Sequence, residues 1–119
     1  MRDVNRCVVI LRVKQPCLDW MMRLPDPSPP KLTLADLNAD HTALLIPDFD
    51  DNAEAMRYIE AHCEELFKHE LNGWWTNEKD WPKDQTWKAF NEWFDITIHS
   101  FVLDMDEENP LGYFDGYDE

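Results

Sequence analysis

The stretch RCVVILRV, residues 6–13, decides the fold class. Cys7, Val9, Leu11 and Val13 fall on one side, and Arg6, Val8, Ile10 and Arg12 on the other. That alternation is a strand with one apolar and one half-polar face. Two further stretches read as strands. TALLIP (42–47) is a short apolar run without alternation, expected to be buried on both faces. ITIHSFVL (96–103) sets Ile96, Ile98 and Val102 against Thr97, His99, Phe101 and Leu103. Both its faces are largely apolar, so it is expected at the centre of the sheet.

Helices fill the gaps between these strands. Pro16 suits a first helical turn, and PCLDWMMRL reads as a short helix over about 16–24. Pro25, Pro27, Pro29 and Pro30 then force an extended loop. Thr33 with Asp36 is an N-cap pair for a helical turn through Asn38. Asp51 and Glu54 start the longest helix, 51–71, whose Met56, Ile59, Cys63, Leu66, Phe67 and Leu71 form one stripe. Gly73 is its expected C-cap. A third helix, about 83–95, follows a tryptophan-rich connection and presents Trp87, Phe90 and Phe94.

The order β-α-β-α-α-β predicts the α+β class. It gives one domain over 1–103, a small three-stranded mixed sheet with helices packed on one face. The first crossover contains a helix, so the first two strands could be parallel, and the two-helix return could bring the third in either direction. Residues 104–119 read as an acidic C-terminal tail whose LGYF aromatics could still pack on the body.

The chain has 119 residues, with 11 Lys and Arg against 25 Asp and Glu, a net charge of −14. The charge is uneven. Residues 1–31 carry six basic and three acidic side chains, whereas 104–119 carry seven acids and no base. Nucleic-acid binding rests on Lys and Arg neutralising phosphates, so this balance disfavours it, and anionic membrane with it. No apolar run approaches the ~20 residues of a membrane span. Cys7, Cys17 and Cys63, an odd count with no paired motif and no secretory signal, point to reduced thiols in a cytoplasm.

ELNGWWTNEKDWP (70–82) and FNEWFDITIHSFVLD (90–104), with LIPDFDD (45–51) and LRVKQPCLDW (11–20), resemble a group of small acidic bacterial proteins of uncharacterised function. The resemblance covers most of residues 6–104. It implies a bacterial, cytoplasmic, single-domain protein and carries no activity, cofactor or site residue onto this chain.

The chemistry must therefore be sought residue by residue. DFDDNAE (48–54) spaces acids like a calcium loop, but Ala53 stands where glycine is needed and Ile59 where the closing glutamate is needed. Helix capping explains the same acids. His62, Glu65 and His69 share a helix side, yet the two histidines are two turns, about 10.5 Å, apart. They are metal candidates only if another element completes the site. Cys17 lies in a first helical turn, where a thiol is activated, with His41 or His99 as a conceivable base. His99 otherwise reads as a hydrogen-bonded core histidine. Two serines and three glycines, with no nucleophile elbow or phosphate loop, argue against serine hydrolase and nucleotide chemistry.

Trp74, Trp75, Trp81, Trp87 and Trp93 crowd into 20 residues. Tryptophan dominates interface hot spots. Trp75 and Trp93 are the candidates for exposure, with Trp74 and Trp81 beside them, in a partner-binding surface flanked by acid. The reading that follows is a protein–protein interaction module or small homo-oligomer, without cofactor. A small enzyme or metal protein using His, Cys and Glu is the alternative, and an acidic mimic of nucleic acid a further one.

Overall fold

The computed structural model describes residues 1–114. Its strands are β1 (Arg2–Asp3), β2 (Arg6–Val13), β3 (Ala43–Pro47), β4 (Phe94–His99) and β5 (Leu103–Asp104). Its helices are α1 (Gln15–Met22), α2 (Leu34–Asn38), α3 (Asn52–Ala61), α4 (Cys63–Trp74) and α5 (Trp87–Trp93), with a 3-10 turn at Glu78–Asp80. The class is α+β, as the strand and helix patterns predict.

The main sheet has the order β3-β2-β4 and is antiparallel throughout, where a mixed sheet was expected. The cause is one side chain. Asn38, at the end of α2, accepts from the Val13 amide at 2.7 Å and donates to the Val13 carbonyl at 3.0 Å. This clamp returns the chain to the end of β2 that it has just left. β3 starts there, with Leu11 N–H on the Thr42 carbonyl at 3.1 Å, and has only the reverse direction open to it.

The centre of the sheet is β2. Its Cys7, Val9, Leu11 and Val13 are buried, and its opposite face is not. The predicted third strand is an edge instead. It begins earlier, at Phe94, and stops at His99 before resuming as β5. β3 is the other edge, with Ile46 alone fully buried, so the expectation of two buried faces fails there. Apolar residues on both faces do not require a central position when helices cover only one of them.

The long helix expected over 51–71 divides at His62. The His62 ring nitrogen Nδ1 lies 2.8 Å from the Tyr58 carbonyl, the acceptor its own amide would use in a continuous helix. The His62 amide bonds to the Ile59 carbonyl instead, tightening that turn. The buried stripe survives the break, running Ala55, Ile59, Cys63, Phe67, Leu71. Asp51 caps α3 through the Glu54 amide, and Thr33 with Asp36 makes the reciprocal capping box of α2. The fourth helix passes through Gly73 and ends with Trp75 as its cap, so Gly73 is not the C-cap. α5, capped by Thr86, is shorter than the expected 83–95.

Beyond the main sheet, β1 and β5 pair as a two-stranded ribbon. Between the pairs Val8–His99 and Asp3–Leu103 the first strand advances five residues and the second four. The extra residue is a bulge that turns the ribbon off the sheet. The ribbon and the segment after it form an arm, and the expected tail boundary at 104 falls inside its second strand. The Cα radius of gyration is 16.1 Å, against ~13.5 Å for a compact chain of this length. Residues 115–119, the last of the predicted tail, lie outside the described residues.

Candidate functional site

The tryptophans are a structural corner. Trp20 is buried, and Trp74, Trp75, Trp81, Trp87 and Trp93 are half-buried against the core. Two indole N–H groups converge on Asp80 of the 3-10 turn, and a third closes back onto Trp75. Trp20 donates to the Asp80 carbonyl at 2.8 Å, Trp75 to the Asp80 carboxylate at 2.9 Å, and Trp81 to the Trp75 carbonyl at 2.7 Å. Trp93 packs between Trp20 and Phe67, with ring centroids at 5.7 and 5.3 Å. Trp75 and Trp93 are therefore less exposed than the spacing suggests. Trp74 and Trp75 do line one small crevice of about 90 Å³, closed by Met21, Met22, Leu24 and Leu32.

The predicted ionisable candidates do not converge. His62 and Glu65 line an apolar cleft of about 150 Å³ beside β3, where the His62 ring packs at a tilt against Tyr58, centroids 4.2 Å apart. His69 lines a different pocket. Among the described residues no three His, Cys, Asp or Glu side chains gather as metal ligands. His99 is exposed on the helix-free face of the sheet, not in the core. The Cys17 thiol is buried. Burial, then the negative charge of Glu70, push it up to about 12, so it is a neutral thiol near pH 7 and not an activated nucleophile.

The sequence reading passed over Glu70. Its signal was present: a carboxylate at the stripe position between Phe67 and Leu71. Glu70 is 7% exposed, and its two oxygens are held by His41 Nε2 at 2.6 Å and the Thr42 hydroxyl at 2.8 Å. The Trp74 ring lies parallel to His41, centroids 6.4 Å apart. These residues, with His69, Asn72 and Gly73, line a pocket of about 280 Å³. A buried carboxylate that orients an imidazole can support proton transfer.

The arm is the other candidate. Arg2 donates to the Asp104 carboxylate at 3.1 Å, the Asp106 carbonyl at 2.6 Å and the Asn109 carbonyl at 3.4 Å. The Met1 amine pairs with Glu107. Asp106 caps the turn, and hydrogen bonds from the Asn109 side chain and backbone hold its carboxyl below the usual range. On this built frame Phe101, Tyr113 and Phe114 are 93%, 94% and 85% exposed, and Leu103, Met105 and Leu111 are also exposed.

No family model, no curated protein and no solved structure matches this chain, so fold and geometry carry the functional argument.

Proposed function

We propose that this chain is a protein–protein interaction module of the bacterial cytoplasm, and that the arm is its contact surface. One observation carries the reading: six large apolar side chains stand exposed within residues 101–114. Water-exposed aromatics on an ordered frame mark a surface that a partner covers. The expected contact set Trp74, Trp75, Trp81 and Trp93 takes a supporting role, because packing and three of its neighbourhood's indole bonds already occupy it. The net charge of −14 disfavours nucleic acid as the partner. No described helix is long and apolar enough to cross a membrane.

The test is a photo-crosslinking residue placed at Tyr113 in living bacteria, beside one at exposed, solvated Glu92. Protein adducts at 113 that are absent at 92 support the arm. Equal, background labelling at both positions removes it.

The buried Glu70 favours a second reading, a small-molecule site in the 280 Å³ pocket. A compound that raises the melting temperature of the wild type and not of Glu70→Gln would support it.

A further inference from the structure

We infer that the partner of the arm is a second copy of this chain, each copy laying its arm across the helix-free face of the other's sheet. The inference rests on the arm being a contact surface and adds what it contacts.

The receiving face is set by the strand register. Helices cover the side bearing Cys7, Val9 and Leu11. The opposite side centres on half-buried Val8 and Ile10, with exposed Leu45 paired beside Val8. It is apolar at the middle and basic along β2, where Arg6 and Arg12 flank the apolar pair. Asp95 lies across from Arg12, yet among the described residues neither arginine makes an ion pair.

The arm is complementary to this face. It offers aromatic and aliphatic side chains together with Glu108 and with Asp106 and Glu107, which Asn109 and the Met1 amine hold in place, and residues 101–114 carry no base. Two copies at −14 each repel as wholes, so a basic face opposite an acidic arm is the orientation in which they approach. Aromatic side chains cover ~150–250 Å² each. The three exposed aromatics on each of two reciprocal arms supply about 900–1,500 Å², and with Leu103, Met105 and Leu111 the contact enters the ~1,200–2,000 Å² range of a specific interface. The geometry is also self-consistent. Arm and receiving face belong to the same chain, so one two-fold axis makes both contacts at once and leaves no open end.

Sedimentation velocity over a concentration series into the millimolar range tests this. The expected wild-type result is a species of twice the 14.2 kDa chain mass, weakened by added salt. Tyr113→Ser/Phe114→Ser on the arm and Arg6→Glu/Arg12→Glu on the face should each weaken it roughly tenfold or more. Unchanged circular dichroism shows that each variant still folds. Mixing the two variants should restore part of the dimer, because the mixed pair keeps one intact arm-to-face contact. A wild type that stays monomeric overturns the second copy as partner and leaves the crosslinking test of the arm standing. A dimer indifferent to the arm variant overturns both readings. A mixture no stronger than either variant alone overturns the exchange.

Discussion

His41 and Glu70, 29 residues apart in the chain, meet at 2.6 Å, and the Thr42 hydroxyl takes the second oxygen of the same carboxylate at 2.8 Å. This pair ties the start of the β3 edge to the inner side of α4. Removing the carboxylate leaves two donors in a largely buried site without an acceptor. Glu70→Ala should cost about 3 kcal/mol in urea unfolding. Glu70→Gln, which keeps one acceptor, should cost about half of that. A loss below about 1 kcal/mol for the alanine would show that the cluster does not hold the edge.

Asn38 should matter more than its place in a five-residue helix suggests. Asn38→Ala strips both bonds from the Val13 backbone and should cost about 2 kcal/mol. Hydrogen exchange should accelerate first at the Val13 amide. Protection unchanged there would mean that the clamp is dispensable.

The Cys17 thiol, pushed from 9.0 up to about 12, makes stability fall in alkali. The folded chain holds the proton more tightly than the unfolded one. The stabilisation is complete below pH 9 and disappears as pH rises towards about 12. Cys17→Ala removes that term, and its stability should decline less steeply over this window. At pH 8 the native thiol should resist iodoacetamide until the chain unfolds. Rapid labelling of native Cys17 would contradict its burial.

Arg2 holds the arm without supporting the core. Arg2→Ala should change the melting temperature little, since exposed ion pairs contribute about 1 kcal/mol or less. It should speed limited proteolysis between residues 104 and 111, where its three acceptors lie. Cleavage at the wild-type rate would show that the turn capped by Asp106 stands without it.

The sequence revealed the elements better than their arrangement. Alternation in residues 6–13 and the stripe from Met56 to Leu71 are local patterns, and both are present in the structure, with Met56 and Leu66 at the margin of the core. Strand direction depended on Asn38 reaching Val13, a contact across 25 residues that no periodicity encodes. The helix break at His62 was hidden for a different reason. A histidine suits a helix until its ring takes the carbonyl four residues back. The tryptophans looked like a surface because their number exceeds what a small core needs, and Asp80, which takes the N–H groups of Trp20 and Trp75, was not visible as an acceptor. Glu70 was legible in principle, as a charge at an apolar position. The arm was not: the LGYF aromatics read as able to pack on the body, and Leu111, Tyr113 and Phe114 stand exposed instead.

The register of β2 also decides when the fold can close. Its partners on one side, Phe94 to His99, lie 81 to 91 residues away along the chain. As the polypeptide leaves the ribosome, β2 emerges early and can pair at first only with β3. One edge of the future central strand, with Val9 and Leu11 on it, stays open until residue 99 has been made. Such long-range pairing is slow and exposes sticky surface meanwhile. Chains made faster than this edge can close should therefore aggregate through β2.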